Sequence, residues 1–290
     1  MGYVDDAFTN LKHNLEITQT ESELAQARHI AIREYIRGHW PGSVDDDFLT
    51  GSYKRDTKTK KLKDVDIFIV LKDHGPHGPY RRRPPGDILD ALLDLLQTRW
   101  PDAYRDGMAI VIPYGSEDEI MSMEVVPAFH RKGGGYHIPN PDAGNWIATD
   151  PDKHWEASTA KNKECDEKYV PFVKMVKAIN RELGEPVSPS FLLEVMAMGI
   201  VKPPFGRYQD EIVLFLATAA DQIHDPWPDP ADIGPDVNAI MSPAAQAAAA
   251  DALRGVLAAA EAAVDLEDDG QERAAVEQWR RLFGTRMPRP

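Results

Sequence analysis

The 290-residue chain carries a formal charge of −14 and a single cysteine. Such acidity argues against sequence-independent binding of long nucleic acid, which needs a basic face, but leaves small polyanionic substrates open because a metal ion can supply local positive charge. One cysteine excludes an internal disulfide or a cysteine zinc cluster and makes the cytosol the expected compartment, while no apolar run nears the ~20 residues of a bilayer span and the acidic start lacks a signal peptide's basic and apolar regions.

In chain order, residues 3–40 predict helix. Thr20 to Glu23 has the capping-box pattern, with Thr20 as N-cap and Glu23 at N3. Leu24, Ala27, Ile30, Ala31, Tyr35 and Ile36 follow at helical spacing, and Pro41-Gly42 ends the run. Phe48-Leu49-Thr50 predicts a short strand leading into Gly51-Ser52, and residues 64–71 predict a second strand. Residues 73–86 read as a Pro/Gly-rich loop and residues 87–100 as an amphipathic helix. Residues 108–114 and 120–129 read as two strands around the turn-like GSEDE. Residues 132–146 read as a connector. Beyond it the pattern turns helical at about 152–182, 189–200, 207–224, 243–265 and 271–283. Ser242-Pro243 supplies N-cap and N1 chemistry for the Ala-rich helix.

Within the strand DVDIFIVL, Asp64 and Asp66 stand two residues apart and so share a face. Their repulsion makes sense with a cation beside them, and hard oxygen ligands on a rigid strand suit Mg²⁺. The same pair also fits a charged strand end facing solvent. Gly51-Ser52 lets backbone approach a phosphate closely and adds a hydroxyl donor, although such dipeptides are often plain turns. Glu124 opens another apolar strand, MSMEVVPAF. If that strand lies beside the D-x-D strand, three carboxylates meet on one surface and can hold two metal ions. The competing reading pairs Glu124 with a nearby cation at a sheet edge.

Gly51-Ser52, Asp64-x-Asp66 and Glu124-Val-Val-Pro127 together resemble the polymerase-β nucleotidyltransferase superfamily. More narrowly, the chain resembles the bacterial cGAS/DncV-like nucleotidyltransferases (CD-NTases) of CBASS antiphage systems. GSYKRDT is similar to the family's GSY-x-R-G-T. Residues 136–162 are similar to its Ile-Pro, Trp and T-D-P-x-x-H linker, and FVKMVKAIN and SPSFLLEVM to its helical-lobe K-x-x-N and S-x-S elements. The resemblance implies an α+β fold: a polymerase-β-like mixed-sheet core and a helical C-terminal lobe, with an active-site cleft between the lobes. It divides the chain into helices at 1–44 bracing both lobes, a nucleotidyltransferase core at 45–135 and a helical lobe at 136–290. It implies that Asp64, Asp66 and Glu124 are the metal-binding catalytic acids. Gly51 and Ser52 would grip the donor triphosphate, Lys177 would reach those phosphates, Ser190 would add a hydroxyl contact and Phe191 would stack on a base. Asp150 and His154 fall in a matching motif without an assigned role. Two residues depart from the pattern: Glu124 where much of the superfamily has Asp, and Asp56 where the motif has glycine.

The expected activity is Mg²⁺-dependent (or Mn²⁺-dependent) joining of NTPs, ATP among them, into a cyclic di- or trinucleotide with release of pyrophosphate. Cyclisation rests on the resemblance alone. The alternatives are transfer to another acceptor (a protein, a small molecule or an RNA end) and a silent nucleotide-binding module. The resemblance implies a HORMA-type or ubiquitin-transfer-like regulatory partner, or no dedicated activator; the HORMA type is preferred because RLFGTRMPRP does not end in the glycine that conjugation favours. His74 and His77 read as surface residues, Arg81 to Arg83 as a solvated loop or partner contact, the lysine-rich run 54–63 as a solvated turn or as an offset to the Asp56 charge near the triphosphate, and the scattered Trp residues as packing.

Overall fold

The computed structural model describes residues 2–115 and 122–290. In chain order these form α1 (Tyr3–Leu15), α2 (Gln19–His39), β1 (Val44–Leu49), α3 (Gly51–Lys54), β2 (Asp64–Leu71), α4 (Pro85–Gln97), β3 (Tyr104–Asp106), β4 (Ala109–Pro113), β5 (Ser122–His130), β6 (Tyr136–Asn140) and β7 (Asn145–Thr149). The helices α5 (Pro151–Glu164), α6 (Tyr169–Glu182), α7 (Phe191–Ile200), α8 (Tyr208–Gln222), α9 (Pro243–Asp268) and α10 (Glu272–Phe283) follow. The fold is α+β, as expected. The expected strand start at Ile120 and most of the GSEDE turn lie outside the described residues.

The chain separates into two compact units, residues 17–155 and residues 1–16 with 156–290. These borders differ from the expected 44/45 and 135/136. The reason is that α2 packs into the sheet's own core, and that β6 and β7, read as a connector, extend the sheet. Pro139, Pro141 and three consecutive glycines hid that hairpin, which nevertheless pairs Tyr136 to Asn140 with Thr149 to Asn145.

In the sheet unit the described strands run β1-β2-β5-β4-β3, with β6 on β5 and β7 on β6. β2 and β5 are parallel; β1, β4 and β3 join antiparallel. Strand alternation sorts the side chains into two faces. Val65, Ile67, Ile69 and Leu71 of β2 join Met123, Val125 and Phe129 of β5 on one face. Ile32 and Ile36 of α2 and Ile88, Leu89, Leu92 and Leu96 of α4 cover them. Their i, i+4 spacing gives each helix one apolar stripe. The opposite face carries Asp64, Asp66 and Glu124 and then a small apolar cluster of Phe68, Val70, Ala109, Val126 and Ala128.

The helical unit has its own core. Tyr169, Phe172 and Val176 of α6, Leu192 and Met196 of α7, Phe215 of α8 and Trp279 and Phe283 of α10 are buried together. Phe8 of α1 meets Trp279 edge-on at 5.2 Å. The expected continuous helix 152–182 is two helices. Asp166 and Glu167 both take positive φ, and the Asn162 side chain accepts the Val170 N–H at 2.9 Å, so the chain turns there. Ser242 caps α9 as expected, accepting from the Ala245 N–H. No helix among the described residues is long and apolar enough to cross a membrane.

Candidate active site

The parallel pairing of β2 and β5 sets Asp66 directly opposite Glu124 and Asp64 opposite Ser122. Adjacent strands lie about 4.8 Å apart, so the two opposed carboxylates are neighbours on one face. Asp64 is exposed; Asp66 and Glu124 are half-buried. Desolvation, then the charges of Asp66, Asp64 and Asp106, push the Glu124 carboxyl up to about 8. Asp106 lies at the end of β3. Its contribution escaped the sequence reading because β3 is a three-residue edge strand without an apolar pattern.

Three hard carboxylates on a rigid strand pair, one of them held back from ionising by burial and then by its neighbours, suit a divalent cation. Among the described residues no three His, Cys, Asp or Glu side chains already stand as a metal-binding group.

Gly51 sits beneath this cluster. Its φ is +60°, and a Cβ there would overlap the Asp66 carboxylate. The Thr50 N–H donates to the Asp66 carbonyl at 2.9 Å, which ties the Gly-Ser segment to β2. Gly51-Ser52 opens the single helical turn α3 rather than a simple turn. That turn is braced by the Tyr53 hydroxyl 2.9 Å from Ser22 and by the Lys58 ammonium over the Tyr53 ring. Asp56 takes φ +55°, the left-handed region where a glycine is natural. Asp is among the residues that tolerate it, and Lys58 pairs with its carboxylate at 2.9 Å.

The capping box belongs to Thr18 and Glu21, two residues earlier than expected. The Thr18 hydroxyl accepts the Glu21 N–H at 3.1 Å, and Glu21 accepts the Thr18 N–H at 2.7 Å. The other Glu21 oxygen accepts the N–H groups of Lys61 and Leu62 at 2.7 and 3.0 Å. One buried carboxylate therefore starts α2 and fixes the lysine-rich loop that enters β2. In that loop Lys60, Lys61 and Lys63 are exposed.

Asp150 has a structural role. Its carboxylate accepts the N–H groups of Asp152 and Lys153 at 3.2 Å each and caps α5, with Pro151 at the first helical position.

The remaining candidates belong to the helical unit. Lys177 is nearly buried on α6 and pairs with the fully buried Glu194 at 2.6 Å. Asn180 donates to and accepts from the Val187 backbone at 3.0 and 3.1 Å, which shapes the segment before Ser190. Ser190 is exposed at the start of α7, and Phe191 is half-buried behind it. Outside the site, His77 stacks on Trp40 at 3.9 Å and Arg81 pairs with Asp73.

A family model described as Second Messenger Oligonucleotide or Dinucleotide Synthetase domain (SMODS) matches residues 1–162. The chain is similar to a cyclic AMP-AMP-AMP synthase of an Acinetobacter strain, 26% identical over 97% of this chain and 84% of that protein. Its fold is similar to CdnC of E. coli MS115-1, solved with HORMA-deltaN, at a TM-score of 0.74 and 14% identity over 98% of each chain. It is also similar to the CD-NTase CdnG of Bradyrhizobium diazoefficiens, solved with GTP, at 0.73 and 17% identity over 99% of this chain and 96% of that one. With more than half of its length matched, the chain belongs to the Second Messenger Oligonucleotide or Dinucleotide Synthetase family, is a CD-NTase, and is thereby a nucleotidyltransferase.

Proposed function

We propose that the chain joins NTPs, ATP among them, into a cyclic di- or trinucleotide in antiphage signalling, in the cytoplasm, at the carboxylates Asp64, Asp66 and Glu124. The observation that carries this reading is the register of Asp66 against Glu124 above Gly51. A ribose hydroxyl of one nucleotide attacks the α-phosphorus of a second. A new P–O bond forms there as the bond to the departing pyrophosphate breaks. Repetition and ring closure give the cyclic product.

Asp64, Asp66 and Glu124 would hold Mg²⁺ or Mn²⁺. When bound, such an ion lowers the pKa of the attacking hydroxyl and offsets charge growing on the phosphoryl oxygens. Gly51 lets the backbone approach the triphosphate, and the Ser52 hydroxyl donates to it. From the family resemblance, this reading assigns Lys177 to phosphate, Ser190 to a further hydroxyl contact and Phe191 to an aromatic face for a base. A HORMA-type regulator is the partner this reading expects, supported by the CdnC neighbour solved with HORMA-deltaN.

The test is incubation with four NTPs and Mg²⁺, each α-³²P-labelled in turn, followed by phosphatase. The expected result is a phosphatase-resistant product that Asp64→Asn/Asp66→Asn abolishes. A labelled product equally abundant with the double variant would sink the assignment of these acids.

A further inference from the structure

The carboxylate face of the sheet continues past Glu124. The register runs Asp66, Glu124, Val111, Tyr104 across β2, β5, β4 and β3, so these four side chains share one face. Asp106 is two residues beyond Tyr104, on the same face, and its charge reaches Glu124. Val111 is buried, whereas the Tyr104 side chain is 50% exposed. Its Cα stands two strand spacings, about 10 Å, from that of Glu124.

A three-residue edge strand would be a loose platform alone, and α4 holds this one from behind. Arg105 turns to the opposite face and donates to Asp90 at 3.0 Å. Gln97 donates to the Ala103 carbonyl at 2.8 Å. An aromatic ring on a tethered strand has little freedom left to lose when a ligand stacks on it.

The direction of the reaction selects that ligand. Gly51 meets Asp66 from the β1 side of β2, so the donor triphosphate gripped by Gly51-Ser52, and the pyrophosphate that leaves it, belong to that side. Attacking and leaving oxygens lie roughly in line in phosphoryl transfer. The attacking ribose therefore comes from the other side, over β5, β4 and β3, with its base toward Tyr104. The exposed Asp106 carboxylate repels a phosphate there but not an uncharged base.

We infer that the Tyr104 ring is the platform on which the base of the attacking nucleotide stacks, an assignment that rests on the proposed joining of NTPs. Every base offers a π face, so Tyr104 adds affinity for the attacking nucleotide without choosing its base.

The experiment separates the two roles of an NTP, using the full chain and Mg²⁺. An α,β-methylene NTP keeps its ribose hydroxyls but cannot lose pyrophosphate, so it serves only as attacker. A dideoxy NTP labelled at its α-phosphate lacks the attacking hydroxyls, so it serves only as donor. The linear product is followed for every combination of bases, with each partner varied in turn. The expected result is that Tyr104→Ala raises the attacker KM about tenfold or more and leaves the donor KM within about twofold, while Tyr104→Phe keeps both wild-type values. Melting temperatures should match across the variants, because the side chain is exposed. An unchanged attacker KM in Tyr104→Ala, or an equal rise in both KM values, would overturn the assignment and leave the joining of NTPs standing. No linear product from the wild-type chain with any combination would overturn the joining of NTPs and this assignment with it.

Discussion

Gly51 is held by two constraints at once, a left-handed φ and the Asp66 carboxylate where a Cβ would stand. Gly51→Ala must therefore move either α3 or Asp66. Product formation should fall about a hundredfold or more, since displacements near 1 Å carry that cost, and the melting temperature should fall with it. Glu124 gives a pH signature. Folded, its carboxyl keeps its proton to about pH 8 against an ordinary value of 4.5. Between those values the folded state binds more protons than the unfolded one, so this group's contribution to stability declines as pH rises. In metal-free buffer, the wild-type melting temperature relative to Glu124→Gln should fall steadily from about pH 4.5 to about pH 8. A flat difference would refute the perturbed carboxyl. Mg²⁺ favours the ionised form, so it should recover more of the wild-type melting temperature at pH 8 than at pH 6.

Among the elements, the α2 start has the largest leverage because Glu21 serves two segments. Thr18→Ala removes one cap bond and should cost about 1 kcal/mol in urea unfolding. Glu21→Ala also strands the Lys61 and Leu62 N–H groups, so its cost should be about 3 kcal/mol, with activity lost through the loop entering β2. Equal costs for the two variants would show that the loop contacts contribute nothing. The misplaced capping box is instructive here. Thr20-Glu21-Ser22-Glu23 and Thr18-Gln19-Thr20-Glu21 both satisfy the pattern, and only the second puts Glu21 within reach of Lys61 and Leu62. Helices α4, α7, α8 and α10 were legible from their residue pattern, and α9 from its Ser-Pro start and Ala-rich run. The β6–β7 hairpin was not, because its Pro and Gly content reads as loop until pairing with β5 supplies the missing partner.

At the scale of the molecule, the helical unit and the sheet unit each bury a separate core. Phe172 is fully buried in the helical one. Phe172→Ala should cost about 3–5 kcal/mol. Native-state hydrogen exchange should show the loss mainly in α6, α7 and α8, with β2 and β5 amides less affected. Uniform loss across both sets would mean a single cooperative unit. The unit borders at 16/17 and 155/156 were not readable from composition, because no linker-like segment marks them and the second falls inside α5.

By itself the sequence determined the α+β class, the shared face of Asp64 and Asp66, the Gly-Ser segment before them and the family resemblance carried by ordered motifs over most of the chain. Those features are local: strand periodicity, turn chemistry and short ordered motifs act within a few residues. The tertiary structure alone decided that Glu124 faces Asp66, that Asp106 adds its charge and that Gly51 yields its Cβ space to a carboxylate. These depend on strand register and close approach between segments distant in sequence, where a slip of one residue would turn Glu124 to the opposite face.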